Sequence, residues 1–177
     1  MEIIRAEKAT TRNERGMSLI ELMIAMFVLL VGVVGSMALI GVAMGSNNRS
    51  RQQSNATAIA QMVTEKISSV KASASPNLTI TDCTGTSFTV YTAAGGSALT
   101  SSGDVDYTQS AVANYQMLFT DCATGGMQVT YDVRWNITQP TSYIKLLTVS
   151  AKKQNSGTDP KFFALPVSVR TLIGQGT

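Results

Sequence analysis

The apolar positions of this chain fall into three regimes. From Leu22 to Met44 every residue is apolar except the glycines and Ser36, and no charged residue lies between Glu21 and Arg49. At a rise of about 1.5 Å per residue this run makes a helix of roughly 35 Å, enough to cross a hydrocarbon core of about 30 Å with some tilt. After the polar stretch Gly45-Ser46-Asn47-Asn48 the apolar residues return at helical spacing. Ala56, Ile59, Ala60, Val63, Ile67 and Val70 share one face, while Arg51, Gln52, Gln61, Glu65 and Ser68 fall mostly on the other. The spacing predicts an amphipathic continuation of the helix that ends before Pro76 and packs on a sheet. Beyond Pro76 the period shortens to two. The runs Ser87 to Thr92, Tyr115 to Thr120, Met127 to Thr138, Ile144 to Lys152 and Phe162 to Leu172 predict strands, and Gln154 to Pro160 reads as the hairpin loop joining the last two. The expected fold class is α+β: one long N-terminal helix, membrane-spanning in its first half and amphipathic in its second, packed on an antiparallel β-sheet.

Charge and composition exclude more than they suggest. The net charge is +3 over 177 residues, and the largest basic cluster, Lys152-Lys153, reads as a solvated turn, so nucleic-acid binding gets no support from electrostatics. The chain has no histidine, which removes the usual catalytic triad, His-based metal sites and imidazole proton shuttling together. The acidic residues after position 16 are scattered singly apart from Asp104 and Asp106, and those two lie in the Gly/Ser-rich stretch Gly95 to Asp106, where a polar loop is the better reading than a catalytic pair. No enzymatic activity, metal or cofactor is expected. Four N-x-S/T triplets, starting at Asn48, Asn55, Asn77 and Asn136, are what a Ser/Thr-rich chain produces by chance.

Cys83 and Cys122 both follow the apolar helix. If that helix anchors the chain with its C-terminal part outside the cytoplasm, the compartment is oxidising and the two thiols are expected to form a disulfide; two separate buried thiols are the alternative. Closing a loop of about 40 residues stabilises a fold by roughly 4 kcal/mol in the chain-entropy description. The segments Asp82-Cys83-Thr84-Gly85 and Asp121-Cys122-Ala123-Thr124-Gly125 are expected to be loops pinned together.

Three readings compete for the N-terminus. A secretory signal peptide wants an apolar core of about 7 to 15 residues and a small-x-small cut site. Gly41-Val42-Ala43 supplies the site, but the run is too long and the preceding charges are mixed, Glu2, Glu7 and Glu14 standing among Arg5, Lys8, Arg12 and Arg15. A plain membrane anchor explains the hydrophobicity and leaves Glu21 to a local role, because Ser18-Leu19-Ile20-Glu21 matches the S-x-x-E capping box of a helix start. The third reading takes in the whole string Arg15-Gly16-Met17-Ser18-Leu19-Ile20-Glu21-Leu22. It resembles the class III signal of type IV prepilins and pseudopilins: a charged leader ending in Gly, a hydrophobic first mature residue and Glu at the fifth mature position.

That resemblance implies the following. A membrane aspartic protease, prepilin peptidase, cuts between Gly16 and Met17 and methylates the new N-terminus. Glu21 neutralises the positive N-terminus of a neighbouring Met17 inside a filament, where an unpaired buried charge would be costly. The chain divides into a cleaved leader 1–16, a transmembrane and filament-core helix 17–45, an amphipathic continuation 46–75 and an extracytoplasmic β-rich domain 76–177. The expected partners are prepilin peptidase, other pilin subunits and the inner-membrane assembly platform. The expected location is the bacterial inner membrane, single-pass with the C-terminal domain in the periplasm, and then the pilus at the cell surface, with roles in adhesion or twitching motility. Met17 stands where the family usually has Phe, no Pro occurs between Met17 and Ser75, and the sixteen-residue leader is longer than the shortest ones of major pilins, which suggests a minor pilin or pseudopilin. Tyr131 to Trp135, Leu146 to Ser150 and Phe163 to Leu165 resemble the closing strands of PilV-type minor pilins, the pilus modification proteins. A minor pseudopilin of a type II secretion system and a permanently anchored periplasmic binding module are the alternatives.

Overall fold

A computed structural model describes residues 18–122, 128–154 and 165–174. In chain order the elements are helix α1 (Leu19–Ser68) and strands β1 (Leu78–Thr81), β2 (Ser87–Val90), β3 (Gly95–Gly96), β4 (Gln116–Cys122), β5 (Gln128–Thr141), β6 (Ile144–Lys153) and β7 (Val167–Gly174). The chain falls into two compact units, Met1–Met44 and Gly45–Thr177. Within the first, α1 from Leu19 to Met44 is exposed along its whole length. Within the second, the rest of α1 packs against antiparallel strands.

The hydropathy break at Gly45-Ser46-Asn47-Asn48 is not a break in the helix, which runs through it. Glycine and asparagine cost a helix up to about 1 kcal/mol each, which a long helix tolerates. The buried face is Ala56, Ile59, Ala60, Val63, Thr64 and Ile67, the predicted stripe with Thr64 added. Thr64 satisfies its hydroxyl locally by donating to the Ala60 carbonyl at 2.7 Å. The helix stops earlier than Pro76 requires. At Ser69 the backbone N–H still reaches the Glu65 carbonyl, but the hydroxyl donates to the Lys66 carbonyl at 2.7 Å and the next amide, Val70, reaches only Ile67. Serine side chains compete with the helical ladder in this way, so Val70 lies beyond α1.

β5 is the spine of a five-stranded antiparallel sheet. β4 pairs along one edge of it, from Gln116↔Arg134 to Cys122↔Gln128, and β3 continues that edge at Gly95↔Ile137 and Gly96↔Asn136. β6 pairs along the other edge and β7 lies outside β6. The alternation of β5 turns Tyr131, Val133, Trp135 and Ile137 inward, where they join Leu147, Val149 and Ala151 of β6 and the apolar stripe of α1 in one core. β1 and β2 form a separate antiparallel hairpin, whose Ile80 and Val90 enter the same core. β6 and β7 are antiparallel neighbours, as the hairpin reading requires; the loop residues 155–160 lie outside the described residues, as does the Phe163 end of the last predicted strand.

Two sequence readings are corrected here. Lys152 and Lys153 lie in β6 rather than in a solvated turn, and Lys152 Nζ sits 5.6 Å from the centre of the Tyr107 ring. Cys122 ends a strand rather than lying in a loop. The Gly/Ser-rich stretch, by contrast, is a polar strap across the second face of the sheet. Tyr107 donates its hydroxyl to the Asp132 carbonyl, Arg134 donates to the Gln109 carbonyl at 2.8 Å, and Arg170 holds both Ser102 and Asp104. This strap explains why Thr148 and Ser150, polar residues on that face, are buried. Burial also raises the Tyr107 phenol well above its ordinary value.

Candidate processing and assembly segment

The string that carries the processing chemistry begins outside the described residues, since Gly16 and Met17 precede Ser18. From Ser18 onward its geometry is defined. Ser18 is non-helical, and its carbonyl accepts the first two helical bonds, from the Glu21 and Leu22 amides at 3.0 and 3.1 Å. That is the N-cap position, occupied by a residue type suited to it. The reciprocal side-chain bonds of a capping box are not made: among the described residues the Glu21 carboxylate has no hydrogen bond and no ion pair. Glu21 therefore stands exposed in the first turn, at the positive end of the helix dipole, with its acceptors unused.

After Glu21, the first unit presents apolar side chains on all sides. Phe27, Leu29, Leu39 and Val42 are 70, 69, 72 and 73% exposed. A helix apolar all round buries itself in lipid or among other helices, and soluble monomers rarely leave a continuous apolar surface of this extent uncovered. It is long and apolar enough to cross a membrane. Ser36 adds no polar liability, because its hydroxyl donates back to the Gly32 carbonyl at 2.8 Å.

The cysteines lie in the second unit and are joined, with their Cα atoms 5.9 Å apart at a sequence separation of 39. Beside them, Asp82 organises the β1–β2 turn. One carboxylate oxygen accepts the backbone N–H groups of Thr84 and Thr86, both at 2.9 Å, and the Thr84 hydroxyl at 2.6 Å; the other accepts the Thr120 amide of β4 at 3.4 Å. The Thr84 hydroxyl bond, ahead of the amide bonds, holds the Asp82 carboxyl below its ordinary value. A depressed folded-state pKa gives stability that is present above the unfolded value of about 3.9 and lost as pH falls through the folded value. Asp82→Asn should therefore lower stability at neutral pH and flatten its loss in strong acid, read by denaturant midpoints across an acid titration. A midpoint that falls with pH as steeply as in wild type would show that Asp82 contributes nothing to the slope.

Asp104 and Asp106 do not converge on one centre. Asp104 pairs with Arg170 at 2.9 Å, while Asp106 caps its own turn at Thr108. Among the described residues no three His, Cys, Asp or Glu side chains gather in a way that would hold a metal ion. Sequence reasoning missed Lys145, which is 2% exposed on the inward face of β6. Its ammonium donates to the carbonyls of Ala74 and Thr92 at 2.7 and 3.0 Å and to the Ser75 hydroxyl at 3.1 Å, tying the segment after α1 to the sheet. Burial pushes it below the ordinary lysine value. The signal was present in the strand alternation, which puts Lys145 in phase with Leu147 and Val149.

A long N-terminal helix, apolar and exposed at its start and packed on an antiparallel sheet at its end, is the α+β pilin-like architecture. The family model described as the prokaryotic N-terminal methylation motif matches residues 11–37, a span that contains Gly16, Met17 and Glu21 and is consistent with the type IV pilin-like family. Comparison with curated proteins and with solved structures finds no match. The motif implies processing by prepilin peptidase and assembly with other pilins, and it fits anchoring in a membrane by the apolar helix. Proteins of the pilin-like family are structural rather than enzymatic.

Proposed function

We propose that this chain is a minor pilin-like subunit, cut between Gly16 and Met17 by prepilin peptidase, N-methylated at Met17 and built into a type IV pilus. The observation that carries the proposal is the Glu21 carboxylate, without a partner among the described residues, at the head of an apolar stretch of helix that is exposed from Leu19 to Met44. A carboxylate packed among apolar helices is expensive unless a cation meets it, and the new N-terminus of a neighbouring Met17 is such a cation. The pairing also sets register between subunits. Four basic residues precede the span and two, Arg49 and Arg51, follow it closely; this bias favours a cytoplasmic leader and a periplasmic second unit, an oxidising place for Cys83 and Cys122. The resident partners are the peptidase, neighbouring pilins and the inner-membrane assembly platform.

The test is the N-terminus and intact mass of the chain recovered from membrane and filament fractions. Wild type should begin at a methylated Met17. Gly16→Phe should remain full length, because a bulky side chain blocks the approach of the scissile bond to the protease. Glu21→Ala should be cut normally yet be depleted from filaments by an order of magnitude or more. A Gly16→Phe chain that is still trimmed refutes the cleavage site, and Glu21→Ala found in filaments at the wild-type level refutes the charge pairing. Deletion should abolish piliation; loss of protein export with piliation intact would instead assign the chain to a secretion pseudopilus.

A further inference from the structure

Arg49 and Arg51 follow the apolar run closely, separated from Met44 by the uncharged residues Gly45, Ser46, Asn47 and Asn48. Both lie in α1 and both are exposed. Among the described residues neither makes a hydrogen bond or an ion pair. Asp121, an acid that does reach α1, accepts instead from Asn55 Nδ2 at 2.9 Å. Counted at about 1.5 Å per residue, about 42 Å of helix separates Glu21 from Arg49. A bilayer measured through both headgroup regions is about 40–45 Å thick. With Glu21 at one interface, the guanidinium groups belong at the phosphate level of the other. Two residues apart on a helix of about 3.6 residues per turn, they leave it on roughly opposite sides and reach different headgroups.

Processing sharpens this asymmetry. Cleavage after Gly16 removes Arg5, Lys8, Arg12 and Arg15, leaving the Met17 amino group and Glu21 at one end of the span and two uncompensated guanidinium groups at the other. We infer that Arg49 and Arg51 clamp phospholipid phosphates in the outer leaflet, anionic headgroups above zwitterionic ones, and so fix the depth of the processed helix until it is withdrawn for assembly. This rests on the membrane reading of the helix proposed above. The chemistry is the planar guanidinium fork, which meets two phosphate oxygens at once and is less strongly hydrated than an ammonium. An anionic surface adds a Coulombic preference of about five-fold in partition per arginine.

The test places the processed chain, beginning at Met17, in nanodiscs of equal parts phosphatidylethanolamine and phosphatidylglycerol and counts, by native mass spectrometry, the lipids that stay bound. Phosphatidylglycerol should be enriched on wild type, about five-fold less so on Arg49→Gln, and not at all on Arg49→Gln/Arg51→Gln. Lys66→Gln, an exposed change near the far end of the same helix, should behave as wild type. Equal lipid retention by wild type and the double variant overturns the clamp. So do dimer ions that disappear in the double variant while lipid retention does not change, which would make a second chain the occupant. A chain that never enters the discs overturns the membrane reading itself.

Discussion

Breaking the Cys83–Cys122 bridge should lower the unfolding free energy of the full chain in detergent by roughly 4 kcal/mol, the largest effect expected from any pair of small, exposed side chains in this fold. The reason is topological. The bridge closes a loop of 39 residues in sequence separation that begins just after β1, contains β2 and β3 and ends on the last residue of β4. Among the described residues β1 and β2 pair only with each other, and no backbone ladder joins their hairpin to the five-stranded sheet. What holds it there is core burial of Ile80 and Val90, the Asp82 bond to the Thr120 amide, and the disulfide. Without the bridge the denatured chain regains the closure entropy, and the hairpin keeps only those weaker attachments. Reduced wild type and Cys83→Ser/Cys122→Ser should unfold at the same lowered denaturant midpoint, distinct from oxidised wild type. Identical midpoints for oxidised and reduced protein would refute a stabilising role.

How far the fold was legible depended on whether an element's signal was local. The stripe from Ala56 to Ile67 repeats at helical spacing within one element, and it is the face that is buried. The long strands β5 and β6 alternate strongly enough to be located to within a few residues. β1 escaped because Leu78-Thr79-Ile80-Thr81 is four residues long and directly follows Pro76 and Asn77, too short for a period to establish itself. β3 escaped for a different reason. It is two glycines, placed by contact rather than propensity: Gly96 has φ of 122°, and a Cβ there would collide with the Trp135 carbonyl oxygen and lie 2.9 Å from the Asn136 Cα. Only the neighbouring strand dictates such a residue. The polar stretch at Gly45 to Asn48 was visible but marks a change in what the side chains face rather than in the backbone.

The candidate site shows the opposite balance. The methylation motif is read in linear order, so Gly16, Met17 and Glu21 stand out before any folding is considered. What would meet the Glu21 carboxylate does not stand out, because no described residue of the chain pairs with it. Lys145 falls between these cases: the alternation aims it inward, but the carbonyls of Ala74 and Thr92 that receive it come from segments 71 and 53 residues away.

Trp135→Ala should cost about 3–5 kcal/mol, the range for deleting a large aromatic from a close-packed core. Trp135 is fully buried at the centre of β5. Its indole Nε1–H donates to the Tyr91 carbonyl at 3.0 Å, and its ring lies 6.2 Å from that of Tyr115. Two segments converge on its backbone as well: its amide donates to the Tyr115 carbonyl, and its carbonyl accepts from the Ser97 amide with Gly96 packed over it. Truncation therefore opens a cavity where the β3 edge, the start of β4 and the chain after β2 meet, and leaves the Tyr91 carbonyl without its donor. Trp135→Phe keeps most of the apolar area and loses the hydrogen bond, so it should cost only about 1–3 kcal/mol. Leu172→Ala, at a residue 69% exposed on β7, should change little. For a unit of this size the Ala variant's loss corresponds to a fall in Tm of roughly 10–20 °C. If Trp135→Ala and Trp135→Phe unfold together, the cost lies in the indole hydrogen bond and not in the packing; if Trp135→Ala unfolds with Leu172→Ala, the core does not close around Trp135.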